Sequence, residues 1–151
     1  MSENDKIPTP WELFRIECGS GWKDLYEPLI EYIQRYNEDK PIEEQIQITQ
    51  IKEKFGGLRF YVSHATDELR DMINKAEHES YSTCEICGSK ENIGFKMGWI
   101  QTICHDCIKE MAVKEGDVFR WKKKGTNDTY WIFKDKDGQL HLPKGRCLSK
   151  G

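Results

Sequence analysis

The chain has 151 residues, of which 37% are hydrophobic, 32% charged and 11% aromatic; that length suits one ordinary domain, or a small domain with an appended module, and the aromatic content excludes a disordered chain. Net charge is −3 but uneven, with 17 acids against 10 Lys/Arg over residues 1–83 and 5 against 9 over residues 115–151, so an acidic front is joined to a basic tail. No run approaches the roughly 18 apolar residues of a membrane span, which removes a membrane from the expected partners.

Residues 1–8 read as a flexible tail. They lack the apolar centre of a signal peptide, so a cytoplasmic protein is expected. A core of helices and strands is expected over residues 9–82. Thr9 and Glu12 form a capping box with Pro10 at the first helical position, and this short helix is stopped by Cys18-Gly-Ser-Gly21. A second helix is predicted from about Trp22 to Tyr36, because Trp22, Leu25, Tyr26, Leu29, Ile33 and Tyr36 recur at steps of three and four. Pro28 predicts a kink there, or a start near Glu27.

Ile46 and Ile48 then alternate with polar residues, and Ile51 changes parity, which predicts a bulge. Phe55-Gly56-Gly57-Leu58 supplies a reversal, and Leu58, Phe60 and Val62 alternate along the return strand. A glycine pair flanked by Lys52, Lys54 and Arg59 can also cradle a phosphate through backbone amides, but a hairpin turn with solvated charges is the simpler reading. A third helix is predicted from about Thr66 to Ser80, with Thr66 and Asp67 suited to its start.

Residues 83–115 carry the strongest chemical signal. Cys84-Glu-Ile-Cys87 and Cys104-His-Asp-Cys107 are two Cys-x-x-Cys turns separated by 16 residues. Each turn aims two sulfurs at one point, and four thiolates make the closed tetrahedral shell preferred by one structural Zn²⁺. Such a shell leaves no position for an activated water. An iron–sulfur cluster and a redox dithiol are the weaker alternatives. Between the turns, Ile93, Phe95 and Met97 alternate, Gly98 can turn, and Trp99 to Ile103 returns. After the second turn, Ile108, Met111 and Ala112 share a helical face, with Asp106 as the expected cap and Gly116 as the stop. The order knuckle, hairpin, knuckle, helix resembles a treble-clef zinc finger of the kind that includes GATA-type fingers. The resemblance implies structural zinc; GATA-type fingers place basic residues after the tryptophan and through the helix, whereas here Trp99 is followed by Ile-Gln-Thr-Ile and the helix mixes Lys109 and Lys114 with Glu110 and Glu115.

Residues 116–151 are predicted to form a β-meander, with strands over Val118 to Trp121, Thr129 to Phe133 and Gln139 to Leu142. Arg120, Trp121, Lys122, Lys123, Lys124 and Trp131 put cations beside aromatic rings, a composition suited to single-stranded nucleic acid. The whole chain is therefore expected to be an α+β protein: helices and a hairpin, a treble-clef-like finger, and a meander.

A second resemblance rests on Gln50-Ile-Lys-Glu-Lys-Phe-Gly-Gly-Leu-Arg-Phe-Tyr61, with Cys18-Gly-Ser-Gly-Trp22 before it and Thr83-Cys-Glu-Ile-Cys-Gly88 after it. From Glu17 to Cys107 the chain is similar to a family of small, uncharacterised bacterial and phage proteins. A phage setting implies proteins that bind and block host machinery, host defence included, and no catalytic residue is implied. No P-loop, nucleophile elbow or His-Glu-x-x-His motif occurs. The expected function is therefore binding, of a protein first and of nucleic acid through the basic aromatic meander and the zinc finger as the alternative. Trp11, Trp22 and Trp131 are the tryptophans expected to be partly exposed.

Overall fold

The computed structural model describes residues 16–145, which form an α+β fold around two hydrophobic clusters. The chain enters as a short strand, β1 (Ile16–Glu17), paired parallel to β2 (Ile48–Lys54), with Ile16 opposite Ile51. Strand pairing thus replaces the end of the helix expected before Cys18, and the capping residues of that helix lie outside the described residues.

A 3₁₀ turn at Ser20–Trp22 leads into helix α1 (Lys23–Asn37), which runs through Pro28 instead of starting after it. Leu25, Tyr26, Leu29 and Ile33 bury one face on both sides of the proline. That packing outweighs a single lost backbone bond. Trp22 is fully buried, contrary to the expected partial exposure. Its indole N–H donates to the Thr83 carbonyl at 2.8 Å, so the ring is apolar core with a satisfied polar edge.

β2 and β3 (Gly57–Val62) form the predicted hairpin, and the register shifts between Ile48 and Gln50, where the parity change falls. Lys54 pairs with Gly57, leaving a two-residue turn of Phe55 and Gly56 with φ of 54° and 85°. Two positive φ values define a type I′ turn, which favours Asn-Gly over any bulky residue at its first position. Phe55→Asn is expected to raise stability by about 1 kcal/mol, because the strain of an aromatic residue in the left-handed region is relieved. A denaturant melt at unchanged m-value checks it.

Helix α2 (Asp67–Ser80) starts where its cap predicts, with the Thr66 hydroxyl accepting from the Leu69 N–H. It also closes the outer edge of the sheet. The Leu58 N–H donates to Ser80 Oγ at 2.9 Å and the Phe60 N–H to Glu77 Oε2 at 3.0 Å. An edge that would otherwise recruit another strand is thereby satisfied within the chain.

The second half is built on one longer sheet. β4 (Ile93–Lys96) and β5 (Gln101–Cys104) form the hairpin between the two cysteine pairs, and helix α3 (His105–Glu115) follows β5 directly. The α3 cap is Cys104, whose sulfur accepts from the Cys107 N–H at 3.4 Å. Asp106, the expected cap, instead pairs with Lys109 at 3.3 Å. Gly116, at φ 76°, ends the helix in the left-handed conformation.

The C-terminal strands β6 (Phe119–Lys123) and β7 (Thr129–Lys134) extend this hairpin, because β6 pairs with β4. The strand order is β5-β4-β6-β7, and β7 then takes β8 (Leu140–His141) at one end and β9 (Lys144–Gly145) at the other. Finger hairpin and tail therefore share one sheet. Ile103, Ile108, Ala112, Trp121 and Ile132 fill the core between that sheet and α3. Among the described residues, no helix is long and apolar enough to cross a membrane.

Candidate functional site

The four cysteines of the two turns converge. Their Sγ atoms all lie within 4.8 Å of one another, and Cys87 and Cys104 approach to 3.7 Å. Each turn is fixed by its own backbone. The Gly88 N–H donates to the Cys84 carbonyl at 2.9 Å, with Gly88 at φ 84° to allow the bend. The second pair sits where β5 passes into α3, so the helix cap and the ligand turn are the same residues. Cys84 and Cys104 are buried, Cys107 is half-buried and Cys87 is exposed. The set can hold one metal ion.

Electrostatics favour a cation here. Burial opposes ionisation of Cys84, but backbone hydrogen bonds from Cys87, Cys104 and Ile86 and a bond to the Cys107 thiol outweigh it and bring that thiol below its ordinary value. Cys104 and Cys107 move the other way. Burial raises both, and the negative charge on Cys84 adds to it. A charge on Cys84 thus opposes charge on Cys104 and Cys107. A divalent cation bound among them would cancel that repulsion and allow the four sulfurs to bind as thiolates. His105, between Cys104 and Cys107 in sequence, packs against Trp121 with ring centroids 5.0 Å apart and the planes tilted by 45°.

The first cysteine turn is also docked onto the N-terminal half. The Gly21 N–H donates to the Glu85 carbonyl at 2.8 Å, and the Gly19 N–H to Glu85 Oε2 at 2.8 Å. Glu85 is buried, which raises its carboxyl above the ordinary value against the opposing bonds from Gly19 and Gln101. Cys18, next in the chain, is a half-buried thiol pushed up to about 12, by burial first and then by Glu85 and Glu53. Such a thiol is unreactive. Cys147 lies outside the described residues.

A family-model scan, a search of curated proteins and a search of solved structures each found no match.

The six residues named for nucleic-acid contact do not share a surface. Trp121 is only 2% exposed, and its indole N–H donates to the Ile103 carbonyl at 2.9 Å, so it belongs to the core and cannot stack on a base. Alternation along β6 puts Arg120 and Lys122 on the face opposite Trp121 and Lys123. Arg120 pairs across the strands with Trp131, which is 38% exposed as expected, its guanidinium 5.5 Å from the indole. Lys124 reaches back to Ser82 Oγ at 2.7 Å. The phosphate cradle considered around Gly56-Gly57 is not formed either. The Gly56 N–H is taken by Glu53 Oε2 at 2.7 Å, and Gly57 is packed against Tyr81.

Two exposed aromatics escaped the sequence reading. Phe55 is 72% exposed and Trp99 is 78% exposed. The sequence places Phe55 in a hairpin turn and Trp99 on the return strand of the finger hairpin. In fact Met97 to Ile100 form the turn, with Gly98 at φ 84°. The signal available was Gly98 itself, which moves the reversal onto its neighbours.

Proposed function

We propose that this chain is a zinc-stabilised binding protein that acts on another protein. The observation that carries the metal assignment is the sulfur cluster. A tetrahedron with Zn–S bonds of about 2.3 Å has edges of about 3.8 Å, and Cys87 and Cys104 stand 3.7 Å apart with the other sulfurs inside 4.8 Å. Four soft, negatively charged donors in that arrangement suit zinc, and a shell so filled serves as scaffold. The element order of turn, hairpin, turn and helix supports the treble-clef-like reading. Cys84, Cys87, Cys104 and Cys107 would hold the ion, with Cys104 also capping α3. The ion supplies a crosslink between the base of the hairpin and the start of the helix.

A protein is preferred to nucleic acid as partner because the predicted basic cluster is divided between two faces and the core, while large aromatic side chains stand exposed elsewhere. Aromatic anchors of that kind dominate protein interfaces.

Purified protein is expected to contain one zinc per chain by elemental analysis. A strong chelator should lower its melting temperature, and zinc should restore it. Binding requires thiolates, so apparent zinc affinity should fall as pH drops and protons compete for sulfur. Protein that carries no metal, or melts identically with and without chelator, defeats the proposal.

A further inference from the structure

We infer that the tips of the two hairpins together form a docking groove for an acidic protein segment bearing an aromatic or large aliphatic anchor. The inference rests on the binding reading above and names the chemistry of the partner. The groove encloses about 350 Å³ and is lined by Lys52, Glu53, Lys54 and Phe55 from the first hairpin and by Gly98, Trp99 and Ile100 from the second. Its walls come from sequence positions more than forty residues apart, so only the folded chain makes it.

The placement of Phe55 does not serve folding. The residue occupies the first position of a type I′ turn at φ 54°, where a bulky side chain is strained, and it leaves its ring 72% exposed. Strain held at an exposed position is a mark of functional use. Trp99, 78% exposed, faces solvent from the neighbouring turn. Its own carbonyl is held by the Lys96 ammonium at 3.0 Å. A tryptophan and a phenylalanine on adjacent rigid turns are the residue types that anchor interfaces at low entropic cost.

The two tips are locked together. Thr102 Oγ1 donates to the Gly56 carbonyl at 2.6 Å, and Gly56 lies so close to Ile100 that a Cβ there would stand 3.0 Å from its Cγ2. β5 runs from this contact to Cys104, so the cysteine cluster fixes the far end of the strand that carries the tip. The groove is preformed, which spares a partner the cost of ordering it.

Charge selects the partner. Lys52 and Lys54 share the outer face of β2, and Lys52 stands opposite Arg59 on β3. The Lys54 ammonium lies 5.7 Å from the Phe55 ring. Glu53, the one acid of the lining, accepts from the Gly56 N–H, so its carboxylate is held at the turn. The rim thus carries two cations against one engaged acid, a net positive charge within an N-terminal half that is acidic overall. Local cations around an apolar floor complement carboxylates flanking an apolar anchor. The acidic surroundings disfavour a long polyanion such as nucleic acid, whose phosphates extend past the rim.

The test uses the zinc-loaded full chain as bait for a displayed library of random short peptides, with a labelled oligothymidine measured in parallel. Selected peptides are expected to be net acidic with one aromatic or large aliphatic residue. Trp99→Ala and Phe55→Asn should each weaken binding by about tenfold or more, although Phe55→Asn makes the fold more stable. Lys52→Glu with Lys54→Glu should abolish binding, and added salt should weaken it in the parent. Zinc content and melting of each variant are recorded, and both should stay at parental values or above. No enrichment on metal-loaded protein, selection of neutral or basic peptides, indifference to Trp99→Ala, or tighter binding of the oligonucleotide would each overturn the groove. Absence of metal from the parent chain would instead overturn the scaffold reading, so the two failures are separable.

Discussion

Replacing Cys84 by Ser is expected to strip the metal and unfold the half of the molecule built on β4 to β9 and α3. Cys84 is fully buried, and its thiol is brought below its ordinary value by the hydrogen bonds around it. Its loss removes a quarter of the shell and leaves Cys104 and Cys107, whose thiols burial already holds above their ordinary value, to bind without it. Structural zinc bound to small cysteine-rich domains contributes on the order of 10 kcal/mol or more of apparent binding free energy. The second cluster, whose buried members besides the cysteines are Ile93, Ile103, Ile108, Ala112, Trp121 and Ile132, cannot replace a term of that size. The expected record is less than one zinc per chain, a lost near-ultraviolet signal from Trp121, and early exchange of the amides of β4 and β6. Cys18→Ser is the matching control. Cys18 lies outside the four-sulfur cluster, packed against the first hydrophobic cluster, so that variant should keep its zinc and lose only a little stability. A Cys84→Ser protein with full zinc content and parental melting would remove the structural role of the site.

Local chemistry was legible in the sequence. Thr66 marks the start of α2 because its hydroxyl needs nothing beyond the next turn of chain. The bulge near Gln50 follows from a change of parity in one strand. The two cysteine turns follow from spacing alone. What stayed hidden depends on which element meets which. β6 joins β4 because Gly94 leaves room for Trp121, whose ring fills the space a Cβ at Gly94 would take. Neither residue signals that pairing by itself, so Trp121 passed for a surface aromatic and Trp22 for a partly exposed one. β1 arises from a parallel pairing with a strand more than thirty residues away, which no periodicity in residues 9–18 records. Gly98 marks a reversal beside Trp99, but the exposure of Trp99 and of Phe55 does not follow from it, since aromatic residues are most often buried and a turn says nothing of what surrounds it.

Gly21→Ala is expected to destabilise the whole described fold and to weaken metal binding at the same time. A Cβ on Gly21 would overlap the Cys84 carbonyl oxygen and stand 2.6 Å from both the carbonyl carbon and oxygen of Glu85. These are backbone atoms of the first cysteine turn, so no side chain can rotate away. Relief requires either the 3₁₀ turn at Ser20–Trp22 or the metal turn to move. If the 3₁₀ turn moves, the Gly21 bond to Glu85 and the Trp22 bond to Thr83 are lost together, and the fully buried Trp22 shifts in the first core. If the metal turn moves, Cys84 leaves its place among the sulfurs. Overpacking at such a contact costs about 1–3 kcal/mol and sometimes more. Because the contact joins both halves, that cost should appear as a lower melting temperature and also as faster zinc transfer to a competing chelator. Gly19→Ala provides a graded comparison, since its nearest obstacles include the flexible Glu85 side chain as well as the Glu85 carbonyl. It should therefore be the milder of the two. A Gly21→Ala protein that melts like the parent and releases zinc at the parental rate would mean that the Cys18-to-Trp22 segment does not brace the metal turn.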